Sequence, residues 1–171
     1  MIETKSEAKF QIFRAQDANT LLDSEIMSVD FPSDVRPFVN EAVAHGLKEG
    51  DEAHVLFNLP GFSLTHAWLK KNYPLTRHTH DSDCLYVIIS GALQLGTEIL
   101  KKGDGFFVPA NVPYIYVPVG ENGVEVLEFR HAQAFNFKCL SGANFWPKAI
   151  ETCKNNQEDW KNAVSPLLSD Q

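Results

Sequence analysis

The sequence predicts an all-β protein, an antiparallel sandwich or barrel with a short helix near each end. Short β-rich runs follow one another between about residues 54 and 137, and turn residues separate them. No segment with helical periodicity lies between these runs, so the strands have no crossover helices and the sheets must be mainly antiparallel. With 171 residues, the chain is long enough for one domain around a single core.

Changes in hydrophobic period divide this domain into three segments. We expect residues 1–53 to form an N-terminal extension with a short helix, residues 54–137 to form the barrel, and residues 138–171 to form a helical C-terminal tail. No internal repeat or low-complexity stretch interrupts the chain. The three segments are therefore expected to make a single domain.

The helix of the N-terminal extension is predicted around residue 40. Val35, Phe38 and Ala42 recur at helical spacing. Pro37 falls in the first turn, where no amide hydrogen is needed, and Gly46 supplies a stop. These signals favour a short amphipathic helix that buries one face.

The barrel segment contains seven runs that are typical of strands. They are residues 55–57, 62–69, 84–89, 92–95, 105–108, 114–119 and 124–129. Turn residues separate them, and Ser90 with Gly91 is expected to form one of these turns.

The C-terminal tail predicts a helix that begins near Pro147. Its apolar positions recur at helical spacing along one stripe, formed by Ala149, Ile150, Cys153, Gln157, Trp160 and Val164. That stripe must cover either the outer face of the barrel or a second subunit.

Charge and composition argue against several classes of partner. Fifteen Lys and Arg against twenty-two Asp and Glu give a net charge of −7, which repels nucleic acid. The longest apolar run, residues 84–89, is too short to cross a membrane, and residues 1–5 lead into polar sequence rather than a leader segment. The three cysteines show no close-spaced zinc pattern. We therefore expect reduced thiols and a cytoplasmic location.

His78 and His80 carry the strongest chemical signal in the sequence. On a strand, side chains two residues apart share a face, so these imidazoles would lie side by side as two ligands of one metal ion. Asp81 and Asp83 follow, and they would ligate a metal, orient an imidazole or solvate a loop. His45 and His54, in a helix end and a charged turn, are expected at the surface.

The segment around these histidines resembles the first motif of the cupin superfamily. In that motif two histidines one residue apart precede a glutamate and then a glycine; here His78 and His80 match, and counting back from Gly91 puts Cys84 at the glutamate position. The second motif is matched by Gly103 and Pro109, with Asn111 in place of a glycine and Tyr114 in place of a histidine. The resemblance covers about residues 62–129 and implies an RmlC-like jelly roll, a double-stranded β-helix.

The resemblance also implies a divalent transition metal: iron, manganese, nickel, copper or zinc. His78, His80 and Cys84 are the expected ligands, because a thiolate is a metal ligand where the metal lowers its pKa. Tyr114, His66 or His131 are the other candidates to complete the site. His66 alternates with apolar residues of the predicted strand at residues 62–69. His131 continues the same alternation after the predicted strand at residues 124–129.

The substrate pocket is expected to be mostly apolar with a few hydroxyl donors. Its predicted lining residues are His66, Tyr86, Phe107 and Tyr114. Tyr114 and Tyr116 are the predicted catalytic residues, as hydrogen-bond donors or acids. Such a pocket suits a small aromatic or carbonyl-bearing molecule.

Three functions remain open at this point. The first is a metal-dependent enzyme with oxygenase-like, isomerase or lyase chemistry on a small organic molecule. The second is a non-catalytic binding or sensing protein with a degenerate metal site, and the third is an assembly role without a functional cavity. A homodimer is expected from the cupin resemblance and from the apolar stripes at both ends of the chain.

Overall fold

The computed structural model describes residues 9–166. The polar N-terminal residues 1–5, on which the expectation of no leader segment depends, lie outside this range, as do the first and last residues of the predicted extension and tail. Between residues 9 and 166, neither helix is long and apolar enough to cross a membrane.

The chain forms eleven strands and two α-helices within these residues. They are β1 Asn19–Thr20, β2 Met27–Asp30, α1 Arg36–Ala44, β3 Asp51–Leu59, β4 Phe62–Leu69, β5 His78–Thr79, β6 Cys84–Leu95, β7 Glu98–Lys101, β8 Gly105–Val108, β9 Val117–Pro118, β10 Val124–Arg130, β11 Phe135–Cys139 and α2 Trp146–Asn162.

The strands make a large sheet and a small one. The large sheet has the order β1-β3-β4-β10-β6-β7, and β8 and β9 also pair with β6. The small sheet has the order β2-β11-β5. Every pair except β2 with β11 is antiparallel, as the closely spaced strands predict. The all-β jelly-roll fold class, with its two short helices, is therefore confirmed.

The N-terminal segment contributes more to the sheets than the sequence indicates. β1 extends the large sheet beside β3, and β2 pairs with β11 in the small sheet. β3 begins at Asp51, three residues before the predicted start of the barrel. The division at residues 53 and 137 stays a prediction, but strands from both sides of residue 53 share the same sheets.

β6 runs without interruption through the turn predicted at Ser90 and Gly91. Gly91 keeps the strand continuous by adopting a φ of 71°, and a Cβ there would lie 2.1 Å from the carbonyl oxygen of Gly123. A glycine inside this strand therefore marks a close approach of two backbones rather than a reversal of the chain.

The two helices pack together as a layer with its own core. Val35 and Ala42 from the α1 side meet Ala149, Ile150 and Cys153 of α2, and all five are buried. Pro37 lies in the first turn of α1, as its lack of an amide hydrogen favours. The apolar stripe predicted for the tail is thus covered within the same chain, except for Val164, which is 71% exposed beyond the end of α2.

We expect Ile150→Ala to lower the free energy of unfolding by about 2–5 kcal/mol, because it leaves a cavity in this helical core. Ile150 is only 5% exposed, whereas its neighbour Glu151 lies on the solvent side of α2. Glu151→Ala is the matched control, and its effect should stay within about 0.5 kcal/mol. Urea unfolding of both variants checks this packing; equal effects would contradict it.

Candidate functional site

A cavity of about 750 Å³ lies between the large and small sheets. That volume is in the range of pockets that hold small organic molecules. Its wall in the large sheet includes Ala53 and Ala67, which are paired side by side on the adjacent strands β3 and β4. Because these two side chains are small, the middle of the cavity stays open.

His78 occupies the wall formed by the small sheet. It lies on β5, is 3% exposed, and stacks on Phe137 of β11 with ring centroids 4.5 Å apart. Its Nδ1–H donates to the carbonyl oxygen of Thr76 at 2.7 Å. Its backbone exchanges two hydrogen bonds with Tyr114, each 3.1 Å long. The ring is therefore fixed in one orientation by its own strand and its neighbours.

His80 is fixed in the same manner in the loop after β5. Its Nδ1–H donates to the carbonyl oxygen of Asn136 at 2.5 Å, and the amide of Asn136 donates to Asp81 at 2.8 Å. The centroids of the His78 and His80 rings are 5.0 Å apart. Since a carbonyl can only accept, both Nδ1 atoms carry the hydrogen, and both Nε2 atoms are acceptors in the neutral rings. No described residue hydrogen-bonds to either Nε2.

Burial keeps both imidazoles neutral near pH 7. Desolvation lowers the pKa of His78 to about 4, and the neighbouring His80 adds to this effect. Desolvation also lowers the pKa of His80, and the positive charge of Arg130 lowers it further. The pair therefore presents two proton acceptors to the cavity.

Tyrosine hydroxyls lie beside this pair. The Tyr114 ring is centred 4.4 Å from that of His78, and its hydroxyl hydrogen-bonds to the hydroxyl of Tyr86. Tyr116 is 4% exposed and stacks against Tyr114, with centroids 6.4 Å apart. Desolvation and the negative charge of Glu128 raise the pKa of all three phenols. The phenols consequently stay protonated and act as donors.

Phe106, rather than the predicted Phe107, packs against the aromatic residues of the inner core. Phe106 pairs with Tyr86 across β8 and β6, and their rings stack at 4.5 Å. Phe107 pairs with Leu85 and is 58% exposed. Directly paired residues share a face of the sheet, so an inward Tyr86 requires an inward Phe106. The prediction that Phe107 lines the pocket was therefore wrong.

His66 and His131 do not reach the cavity. His66 is buried on the opposite face of β4 from Ala67, and its Nε2 makes a 3.0 Å hydrogen bond with the carboxylate of Glu125. His131 follows β10 and is exposed. Both predictions were wrong for the same reason, because each histidine alternates with outward residues of its strand. His54, expected at the surface, lies in β3 and is only partly exposed.

Cys84 is buried on the inner face of β6, but it does not complete a metal site. Among residues 9–166, no three side chains of His, Cys, Asp or Glu lie close enough together to hold a metal ion. Burial raises the pKa of the Cys84 thiol to about 12, so the thiol is protonated near pH 7. Asp81 and Asp83 instead accept backbone hydrogen bonds from Asn136 and Ala110, each 2.8 Å long. The chain thus supplies two imidazoles, fewer than the three protein ligands of a typical catalytic metal.

Glu128 and Arg130 form a buried ion pair in the cavity wall that the sequence did not reveal. Their charged atoms are 2.7 Å apart, and the Thr65 hydroxyl donates to Glu128 at 2.9 Å. Burial alone would raise the pKa of Glu128, but the charge of Arg130 lowers it. A run such as Val124–Arg130 mixes apolar and charged residues on both faces, so its inward face cannot be chosen from the sequence.

Comparisons with solved structures identify the fold. The polyketide cyclase RemF from Streptomyces resistomycificus is similar with a TM-score of 0.55 and 13% identity, over 88% of this chain and 99% of RemF. An RmlC-like cupin from Shewanella frigidimarina is 21% identical over 50% of this chain and 79% of its own, with a TM-score of 0.42.

A salicylate 1,2-dioxygenase from Pseudoaminobacter salicylatoxidans, in complex with gentisate, is 17% identical over 62% of this chain and 36% of its own, with a TM-score of 0.46. No family model and no curated protein matches the chain. The sheet topology and the similarity to RemF over most of both chains confirm the predicted jelly-roll fold class.

The left-handed backbone at Asn111 fits this assignment. Asn111 stands where the second cupin motif has a glycine, and its φ is 63°. Asparagine is one of the few residues besides glycine that tolerate this conformation. Its amide donates to the carbonyl of His80 at 2.7 Å, so the turn also holds the histidine loop.

We expect the protein, after dialysis against a chelator, to lose about 2 kcal/mol of stability between pH 7 and pH 5 through His78. The unfolded chain binds a proton near pH 6.5, whereas folded His78 binds one only near pH 4, so stability falls as pH decreases. Urea unfolding at both pH values measures the loss. His78→Gln should show a smaller one, and an imidazole of His78 that titrates near pH 6.5 by NMR would contradict the expectation.

Proposed function

We propose that the protein binds a small planar organic molecule in the barrel cavity and transfers protons on it next to a carbonyl group. The observation that supports this most is the pair of neutral imidazoles, each fixed through Nδ1 and each with its Nε2 unpartnered among the described residues. Fixed, neutral imidazoles are effective general bases near pH 7. The tyrosine hydroxyls beside them supply the complementary donors.

In this reaction an imidazole Nε2 of His78 or His80 removes a proton from the carbon beside the carbonyl. The carbonyl oxygen gains negative charge as the proton leaves, and a hydrogen bond from Tyr114 stabilises it. The same imidazole, now protonated, returns the proton to another atom of the product. Because the phenol pKa values are raised, Tyr114 and Tyr116 donate hydrogen bonds rather than accept protons.

The ion pair of Glu128 with Arg130 would set the electrostatics of this step. Glu128 favours the protonated form of both imidazoles, and Arg130 disfavours it. Because these two effects oppose each other, burial remains the main cause of the neutral imidazoles, and the carboxylate of Glu128 would stabilise the ring that takes up a proton. The name of the similar structure, a polyketide cyclase, is compatible with a carbonyl-bearing substrate.

A metal-dependent function, with oxygenase-like, isomerase or lyase chemistry, is the second candidate. Donation from Nδ1 to a backbone carbonyl is the arrangement that metal-ligating histidines commonly show, and His78 and His80 both have it. A bound metal would act as a Lewis acid on an oxygenated ligand. Residues 9–166 offer two imidazoles to such a metal, so the bound organic molecule would have to supply the remaining donor atoms.

A homodimer in the cytoplasm stays part of the proposal. Phe62, Leu85 and Phe107 are 38%, 45% and 58% exposed on strands of the large sheet, and a second copy would cover such side chains.

We expect Ala67→Phe to abolish binding of an aromatic ketone while the protein remains folded, because the larger side chain fills the middle of the cavity. Acetylbiphenyl is the probe, and isothermal titration measures its binding. Wild-type protein should bind it, and Ala67→Phe should bind at least about tenfold more weakly. Lys154→Ala, at an exposed position of α2, is the control. Unchanged binding by folded Ala67→Phe would exclude this cavity.

Elemental analysis of protein purified without a metal-affinity tag tests the second candidate. A metal-dependent protein should contain about one transition-metal ion per chain, and His78→Ala should contain none. His45→Ala, a histidine in the helix end, is the control and should keep the metal. Wild-type protein without metal, or His78→Ala that retains it, would contradict a metal site at the imidazole pair.

A further inference from the structure

We propose that Asp51 forms a second polar contact in the cavity, at the end distant from the imidazole pair, and that it selects ligands carrying a hydroxyl group there. This inference rests on the proposed function, because it concerns the same cavity and the same class of ligand. It goes further by naming the chemical group that the far end recognises.

The position of Asp51 on β3 directs it inward. Asp51 pairs with Leu69 of β4, and Ala53 pairs with Ala67. Leu69 and Ala67 belong to the core on the inner face of the large sheet, and Ala53 packs against it. Since alternate residues of a strand share a face, Asp51 faces inward too, and it contributes to the cavity wall.

The Asp51 carboxylate retains acceptor capacity for a ligand. Within residues 9–166 it has no ion-pair partner, because the nearby Lys70 ammonium bonds to Glu52 at 3.2 Å and to the Trp160 carbonyl at 2.9 Å. Its one side-chain hydrogen bond comes from the phenol of Tyr73. A carboxylate has about four acceptor sites, so most of them remain available. Burial raises the pKa of Asp51 to about 6, which leaves it mostly ionised above neutral pH.

The two polar ends of the cavity are separated by an apolar middle. Asp51 lies at the level of Leu69 on β4, whereas Glu128 lies at the level of Thr65. Four residues of a strand span about 13 Å, so a ligand that contacts both ends needs a length of about two fused or linked rings. Ala53 and Ala67 lie between these levels and leave space for them.

A neutral hydroxyl is the group that fits this end best. A carboxylate accepts a hydrogen bond from a hydroxyl without a change of charge, and such a charge-assisted bond is stronger than a neutral one. The ammonium of Lys70, whose charge already acts on Asp51, disfavours a second cation beside it. We therefore infer an elongated aromatic ligand with a carbonyl near the imidazoles and a phenol or alcohol near Asp51.

Two probes that differ by one hydroxyl test this inference. They are acetylbiphenyl and its analogue with a hydroxyl on the distal ring, para to the ring junction, and isothermal titration gives both dissociation constants slightly above neutral pH. Wild-type protein should bind the hydroxylated probe about tenfold more tightly. Asp51→Asn should reduce that preference to about twofold or less, because the charge-assisted bond is lost. Glu49→Gln, the same change at an exposed carboxylate two residues away, should keep it.

A second variant keeps the test decisive if Asp51→Asn does not fold. Tyr73→Phe removes the hydroxyl group that uses one acceptor site of the Asp51 carboxylate, so the preference for the hydroxylated probe should persist or increase. Loss of the preference in Tyr73→Phe, an equal affinity of wild-type protein for both probes, or an unchanged ratio in folded Asp51→Asn would each overturn the inference. Equal binding of both probes leaves the proposed function standing, whereas no binding of either probe overturns both.

Discussion

The buried ion pair of Glu128 with Arg130 is the interaction on which the arrangement of the interior depends. Arg130 also donates to the Thr65 hydroxyl of β4 and lies over the Phe135 ring of β11, 3.9 Å from its centroid. One guanidinium thus contacts both sheets. Removing two charges from water is costly, and it is compensated only by close pairing and further hydrogen bonds. The contacts with Glu128 and Thr65 offset part of this cost, while Nε of Arg130 has no hydrogen-bond partner among the described residues. Burial in the same interior is the main cause of the shifted pKa values of the imidazoles and phenols.

The fold could be predicted from the sequence because its signals are local. Closely spaced β-rich runs specify antiparallel pairing, and a proline in the first turn with a glycine after the end specifies α1. The errors arose where the outcome depended on another part of the chain. Gly91 was predicted to lie in a turn because a glycine after a strand usually does. Its actual role is to let the backbone approach Gly123, which is 32 positions away in the sequence.

The difference between local signals and contacts with distant parts of the chain also applies to the site. His78 and His80 could be identified because residues two positions apart on a strand share a face, whatever surrounds the strand. Which face of a strand points inward depends on the whole sheet. For this reason the sequence did not show that Phe106, and not Phe107, packs inward, or that His66 lies on the outer face of β4. Glu128 and Arg130 were missed because charged side chains of a strand are ordinarily expected on its solvent face, although these two share a face with the buried Val124 and Val126. Asp51 was missed because a charged residue at the start of a strand ordinarily lies in solvent.

The paired alanines at positions 53 and 67 are sites where the size of the cavity could change during evolution. They help to determine how much room the interior offers, and neither takes part in the hydrogen bonds that hold the rings of His78 and His80. Descendants of such a gene could change the dimensions of the cavity through substitutions at two strand positions while retaining the same pair of imidazoles. The geometry of β3 and β4 therefore lets the size of the cavity evolve separately from the polar groups in its wall.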